Sequence, residues 1–316
     1  MKEKLDHIAR GAAMVGFAFP LLLIVVIYHL GETSFLGFAF VGLTAIQLSL
    51  RPSLVEMMAS VATGAAYGVA YHALGGSLPQ ELPFRIVGIL AFLGTGSLLV
   101  MAARLLWAPR EQQKKRLQPL LAGVTPILFL AYMPVAFKIL QRTVPDSLDR
   151  YLYAFDSRFG IQAGFVMGRI FADWPALNTI CSLVYMGLPL AMACVYLAVP
   201  SAPEDPGLLK SFLITGILAS LVFRALPAAG PVYAFTDFYP NQLPAMGSDF
   251  LRAVHMEDAK LNAIPSLHTA WGLLIFWRTR GSALWIRAAA GMFLFLTLLA
   301  TLGLGEHYLI DLIVAV

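Results

Sequence analysis

Apolar runs long enough to cross a bilayer recur through nearly all of this 316-residue chain, and they leave few fold classes open. A spanning helix needs about 20 mainly apolar residues, and about ten stretches are candidates. They run at 11–30, 35–50, 53–75, 84–107, 119–140, 177–199, 208–226, 264–279, 283–304 and 307–316, the second being short. Only 13% of residues are charged and 59% are apolar, against about 25% and 45–50% in an ordinary soluble domain. So few charges cannot cover a water-facing surface, and so many apolar runs cannot hide in one core. The pattern predicts an all-α, polytopic transmembrane helical bundle. A net charge of +4 is modest and sits largely in short loops between the runs, which argues against a nucleic-acid partner.

Lysine and arginine placement sets the orientation. Lys2, Lys4 and Arg10 put the N-terminus on the cytoplasmic side. The run at 11–30 is long enough to span, and no small-residue cleavage site is obvious after it, so it reads as an uncleaved first span. Arg110, Lys114, Lys115 and Arg116 mark a second cytoplasmic loop, and Arg278, Arg280 and Arg287 a third. Alternation through ten spans satisfies all three clusters. The loops 141–176 and 227–263 and the turn 303–306 then fall on the extracytoplasmic face. The basic loop at 108–118 suggests a division into a four-span membrane region, 1–118, and a six-helix core, 119–316.

Other features have simpler readings. Cys181 and Cys194 lie thirteen residues apart in one apolar segment, roughly 20 Å along a helix, too far to pair with each other. Gly64 and Gly68 suit close helix packing. The loop 227–263 mixes Pro227, Pro231, Pro240 and Pro244 with Tyr233, Phe235, Phe238 and Tyr239, a composition for ordered turns rather than a linker. Residues 149–156 place aromatics and charges at helical spacing, as in a helix lying in the interface plane.

Six histidines are present. His7, His29 and His72 fall at span ends as interfacial polar residues, and His255 sits in a solvated setting among Glu257, Asp258 and Lys260. The other two sit where chemistry is possible. His268 belongs to Asn262-Ala-Ile-Pro-Ser-Leu-His-Thr-Ala-Trp271, in which Pro265 favours a helix start and Ser266 can cap it. The free amides of that helix end suit an anion. His307 belongs to Gly303-Leu-Gly-Glu-His-Tyr-Leu-Ile-Asp311. If a helix begins there, Asp311 lies one turn on, on the same face, and can orient the imidazole. An aspartate inside a membrane segment is itself a functional signal. One imidazole braced by a carboxylate and a second available to protonate a leaving oxygen favour phosphoryl transfer through a phosphohistidine. Two histidines and an aspartate are also possible metal ligands, but no further ligand motif accompanies them, so neither metal nor cofactor is expected.

Pro265-Ser266-Leu267-His268, followed about forty residues later by His307-Tyr-x-x-Asp311, resembles the second and third signatures of the type-2 phosphatidic acid phosphatase superfamily. The resemblance covers roughly 119–316 and implies a six-helix membrane core with its site on the extracytoplasmic side. It further implies His307 as nucleophile, Asp311 as its orienter, His268 as general acid and Ser266 as a phosphate contact. Three departures stand out. Leu267 replaces the usual glycine, Thr301 stands where the third signature carries arginine, and Phe223-Arg-Ala-Leu-Pro-Ala-Ala-Gly-Pro-Val-Tyr233 takes the place of the first signature. This variant pattern looks most like the inositol phosphorylceramide synthase branch, whose members move a phospho-head group between lipids.

A phosphate in a low-dielectric site needs cationic partners. Arg224 is the first candidate to replace the absent arginine, with Lys260 and Arg252 behind it. Asp149 and Asp156 either recognise a polyol head group or anchor an interfacial helix. The sequence stops within ten residues of His307, about 15 Å of helix and half a bilayer, which predicts a short last helix. The expected activity is therefore transfer or hydrolysis at a lipid phosphate or phosphodiester, with a phospholipid substrate and, for transfer, a lipid hydroxyl acceptor. Plain lipid phosphate hydrolysis is the alternative within the same chemistry. A non-enzymatic lipid transporter is the alternative outside it, although no internal repeat of the kind such proteins carry is visible.

Overall fold

The computed structural model describes residues 34–144, 146–199, 207–248, 250–252, 254–256 and 260–316. The first expected span, His7, His29, Glu257 and Asp258 lie outside the described residues, as does the side chain of His255. The helices are α1 (Ser34–Ser49), α2 (Leu54–Ala73), α3 (Leu82–Leu106), α4 (Arg110–Thr143), α5 (Asp149–Ser157), α6 (Ala163–Asp173), α7 (Pro175–Met186), α8 (Leu188–Ala198), α9 (Gly207–Ala225), α10 (Pro231–Ala234), α11 (Leu267–Arg278), α12 (Leu284–Gly303) and α13 (Leu309–Val314). Two-residue strands, β1 (Asp146–Ser147) and β2 (Val254–His255), pair antiparallel with Asp146 opposite His255.

Among the described residues, α3, α4, α9 and α12 are long and apolar enough to cross a membrane, and α7 with α8 makes a fifth if the pair is one broken span. That is fewer than the ten expected. The apolar runs at 35–50 and 264–279 fold into helices of 16 and 12 residues, shorter than a bilayer requires.

The chain divides into two compact units, Met1–Tyr132 with Pro189–Pro200, and Met133–Leu188 with Ser201–Val316. The division falls later than the expected boundary after residue 118, and α8 joins the first unit.

In the first unit, Ser53 caps α2, and Glu56 reaches back to the Ser53 amide at 2.7 Å. Lipid is as apolar as a protein core, so close packing and buried hydrogen bonds hold such helices together. A Cβ on Gly64 would meet the Phe92 carbonyl oxygen at 2.5 Å, so α2 and α3 touch backbone to backbone there. Gly68 only meets the Phe92 ring, at 3.5 Å. Phe40, Leu43 and Ile46 of α1 fill the same core, and buried Gln47 donates to Ser60 Oγ at 2.8 Å.

In the second unit, α12 packs against α6 and α7, and α9 packs on α11. Trp271 stacks on Phe212 at 4.1 Å and donates its indole N–H to the Phe212 carbonyl at 3.3 Å. The expected outer loops are ordered by one another. The Leu148 amide donates to Pro227 O at 2.8 Å, the Ala263 amide to Ala228 O at 2.8 Å and the Val232 amide to Gly305 O at 3.0 Å. Asp149, Tyr153 and Asp156 of α5 are buried. Tyr153 joins Phe165, Phe235 and Tyr308 in an aromatic cluster, so this face of α5 turns to protein.

Candidate functional site

His307 is held by a backbone carbonyl. Its Nδ1 lies 2.7 Å from Ala263 O, and because a carbonyl can only accept, Nδ1 carries the proton. The lone pair is then on Nε2, to which no described residue hydrogen-bonds. Asp311 Oδ2 is 3.6 Å from Nδ1, beyond a hydrogen bond but close enough to stabilise positive charge on the ring. The expectation that Asp311 orients His307 from one turn along a shared helix face needs correcting. Tyr308 is extended at φ −88° and ψ 165°, so α13 starts at Leu309 and His307 lies outside it. Asp311 Oδ2 instead accepts the Tyr308 amide at 2.7 Å, while its Oδ1 is buried with no hydrogen-bond partner among the described residues.

The loop carrying His307 is joined to the start of α11. Besides the Ala263 contact, the Ser266 amide donates to Asp311 O at 3.1 Å. Ser266 is the N-cap of α11, accepting the Thr269 amide at 3.3 Å, and is fully buried. His268 follows in the first turn and stacks flat on Tyr185 of α7, with ring centroids 3.7 Å apart. Through the Ala263 and Ser266 contacts, the loop with His307 and Asp311 is tied to the segment that opens the helix carrying His268.

The two aspartates of α5 brace this loop from behind. Asp149 Oδ1 accepts the Gly230 amide and the Tyr308 hydroxyl, both at 2.7 Å, and Oδ2 accepts the Ala229 amide at 2.9 Å. The Ser147 hydroxyl donates to Oδ2 as well. Desolvation pushes the Asp149 carboxyl up, and these donors oppose the shift. Asp156 accepts the Leu309 amide at 2.7 Å and the Ile310 amide at 3.1 Å, fixing the start of α13. Burial raises its pKa to about 6 against the pull of both amides. Both aspartates are 1% exposed, an arrangement for anchoring structure rather than meeting a head group.

The cationic candidates sit differently. Arg224 is exposed in the last turn of α9. Lys260 and Arg252 are exposed too. Thr301, at the position of the absent arginine, is fully buried and donates to Leu298 O at 2.8 Å within its own helix. Sequence reasoning passed over Glu306, which is half-buried beside His307 and accepts the Tyr233 hydroxyl at 3.0 Å. Desolvation and the Glu306 charge push the Tyr233 and Tyr239 phenols up. Adjacency to His307 was the available signal for Glu306; Tyr185 and Ala263 carried none. Gly230 faces the Glu306 carbonyl at φ +101°, where a Cβ would collide.

This arrangement leaves the His307 Nε2 lone pair without a hydrogen-bond partner among the described residues and sets the buried Asp311 carboxylate 3.6 Å from Nδ1. No curated protein and no solved structure matches the chain. A family profile described as the PAP2 superfamily matches residues 150–316, the stretch that carries His307, Asp311, His268 and Ser266. The match spans more than half of the sequence, and the chain belongs to the PAP2 superfamily.

Proposed function

We propose that this protein is a membrane phosphotransferase that moves a phospho-head group between lipids through a phosphohistidine on His307. Membership of the PAP2 superfamily suggests lipid phosphatase or phosphotransferase activity, and helices apolar enough to span a membrane are compatible with an integral membrane protein. The observation that carries the mechanism is the His307 tautomer. With Nδ1–H directed at Ala263 O, the Nε2 lone pair is available to attack phosphorus.

In the first half-reaction the Nε2–P bond forms and the P–O bond to the leaving lipid alcohol breaks, with His268 giving that oxygen its proton. The positive charge left on the His307 ring is stabilised by Asp311, 3.6 Å from Nδ1. In the second, an acceptor hydroxyl attacks phosphorus, its proton passes to His268 and the N–P bond breaks. Water in place of the acceptor hydroxyl makes the same site a phosphatase. Ser266 and the amides at the start of α11 would face the phosphate, with Lys260 and Arg224 as the cations within reach of the outer rim. The site faces the extracytoplasmic side, the N-terminus is cytoplasmic and no metal takes part.

The test is to incubate the purified protein with phospholipids and a lipid alcohol, with and without EDTA, and to follow both free head-group phosphate and new phospholipid. Transfer predicts new phospholipid that is insensitive to chelator and absent in His307→Ala. It also predicts an acid-labile phosphoryl adduct on His307 that accumulates when the acceptor is withheld. Full turnover in both His307→Ala and His268→Ala would overturn the mechanism.

A further inference from the structure

The first unit holds a cavity of about 740 Å³, far along the sequence from the histidines. Its apolar walls include Leu50, Met101 and Pro119, and its charged walls are Glu56, Arg104, Lys115 and Arg116. The single carboxylate is already engaged: Arg104 Nη2 donates to Glu56 Oε2 at 2.6 Å, and the Ser53 amide donates to the same oxygen at 2.7 Å. Arg116 donates to Arg104 O and to Gln112 Oε1, both at 2.9 Å, and neither acceptor carries charge. Lys115 is exposed, and no described residue pairs with it. Two positive charges therefore line the cavity without a counterion among the described residues.

Position narrows the occupant. Arg104 lies in the last turn of α3, and Lys115 and Arg116 lie near the start of α4, two helices apolar enough to span. The cavity thus sits where spanning helices end, at the level of lipid head groups, on the side that the basic loops mark as cytoplasmic. Orientation alone asks only for hydrated cations at the surface. Here the cations face a hollow that also has apolar walls, and such a site suits an amphiphile with an anionic head. The backbone beside it is strained as well: Arg51 adopts φ +50°, and Leu50 O accepts from Arg104 Nη1 at 3.4 Å.

We propose that this cavity binds the phosphate head of an anionic phospholipid from the cytoplasmic leaflet, at a site separate from the histidines. Full-length protein in phosphatidylcholine nanodiscs, with phosphatidylglycerol titrated in, tests it by native mass spectrometry and thermal unfolding. Wild type should retain phosphatidylglycerol under activation that strips phosphatidylcholine, and should melt higher as its fraction rises. Lys115→Gln and Arg116→Gln should each weaken retention roughly tenfold. Lys114→Gln, the same charge change outside the lining, should not. Lys115 is exposed, so its variant keeps the test readable if Arg116→Gln unfolds. Equal loss in Lys114→Gln would reduce the effect to general attraction to the leaflet and overturn the proposal. An equal rise in melting temperature with inorganic phosphate in pure phosphatidylcholine would overturn it too, by making the occupant a free anion.

Discussion

The Tyr308 hydroxyl donates to Asp149 Oδ1 at 2.7 Å, tying the residue after His307 to a helix start 159 positions earlier. Asp149 also holds the amides of Ala229 and Gly230, so one buried carboxylate joins α5, the loop before α10 and the histidine loop. Asp149→Asn turns an amide N–H₂ toward donors that have lost their acceptor. Breaking a buried charged network of this kind costs about 3–5 kcal/mol. Tyr308→Phe removes one bond and should cost about 1–2 kcal/mol. Thermal unfolding should rank Asp149→Asn well below Tyr308→Phe. Turnover by folded Tyr308→Phe should fall through loosening of His307. Unchanged turnover in that variant would mean the bond does not position the histidine.

What the sequence reveals about this site depends on how local each interaction is. Pro265 and Ser266 announce the start of α11 because a cap acts within one turn, and Ser266 does accept the Thr269 amide. The start of α13 is hidden inside an apolar run. Only the extended Tyr308, with Asp311 reaching back to its amide, shows that His307 lies outside the helix. Gly64 and Gly68 look equivalent as letters, yet only Gly64 meets a backbone too closely for a side chain. Anchoring was one of two readings the sequence left open for Asp149 and Asp156, but what they anchor was not legible, since their partner amides lie 80 and 153 residues away. The long apolar runs predicted a helical membrane chain, but a run does not disclose how much of it is helix, and those at 35–50 and 264–279 fold into helices too short to span.

Asp156 should make stability depend on pH. Its folded value of about 6 lies above the ordinary aspartate value of 3.8, so folding favours the protonated form. That contribution is fully present below about pH 4 and is lost as pH rises through 6, and is worth roughly 3 kcal/mol. The melting temperature of wild type relative to Asp156→Asn should therefore decline between pH 4 and pH 7, because the asparagine cannot titrate there. A difference between the two that stays constant across the range would show that Asp156 does not titrate in it.

Gly230→Ala should damage the fold at the site. The backbone there sits at φ +101°, and a Cβ would strike the Glu306 carbonyl next to His307. Left-handed strain alone costs about 1–3 kcal/mol, and relieving the collision must move either residue 306 or the amide that Gly230 gives to Asp149. The expected result is a lower melting temperature together with lost turnover. Gly247→Ala is the control, since a Cβ there meets nothing within 4 Å. Wild-type behaviour of Gly230→Ala would show that the loop can shift without disturbing His307.

Glu306 bears on which phosphate the site accepts. Its half-buried carboxylate belongs to the residue before His307, the proposed nucleophile, and is fixed by the Tyr233 hydroxyl at 3.0 Å. Thr301, where the family's third signature carries arginine, supplies no opposing charge. A phosphomonoester enters with nearly two negative charges and a phosphodiester with one, so the carboxylate opposes the monoester more strongly. Across a few ångströms of partly solvated protein, one extra unit charge is worth on the order of 1–2 kcal/mol. Glu306→Gln keeps the size of the side chain and the bond from Tyr233 while removing the charge. Its ratio of monoester hydrolysis to diester turnover should rise roughly tenfold, with the diester rate changing less. Steady-state rates on a matched lipid phosphate and phosphodiester measure that ratio, and a ratio equal to wild type would leave substrate choice to the lipid-facing parts of the site.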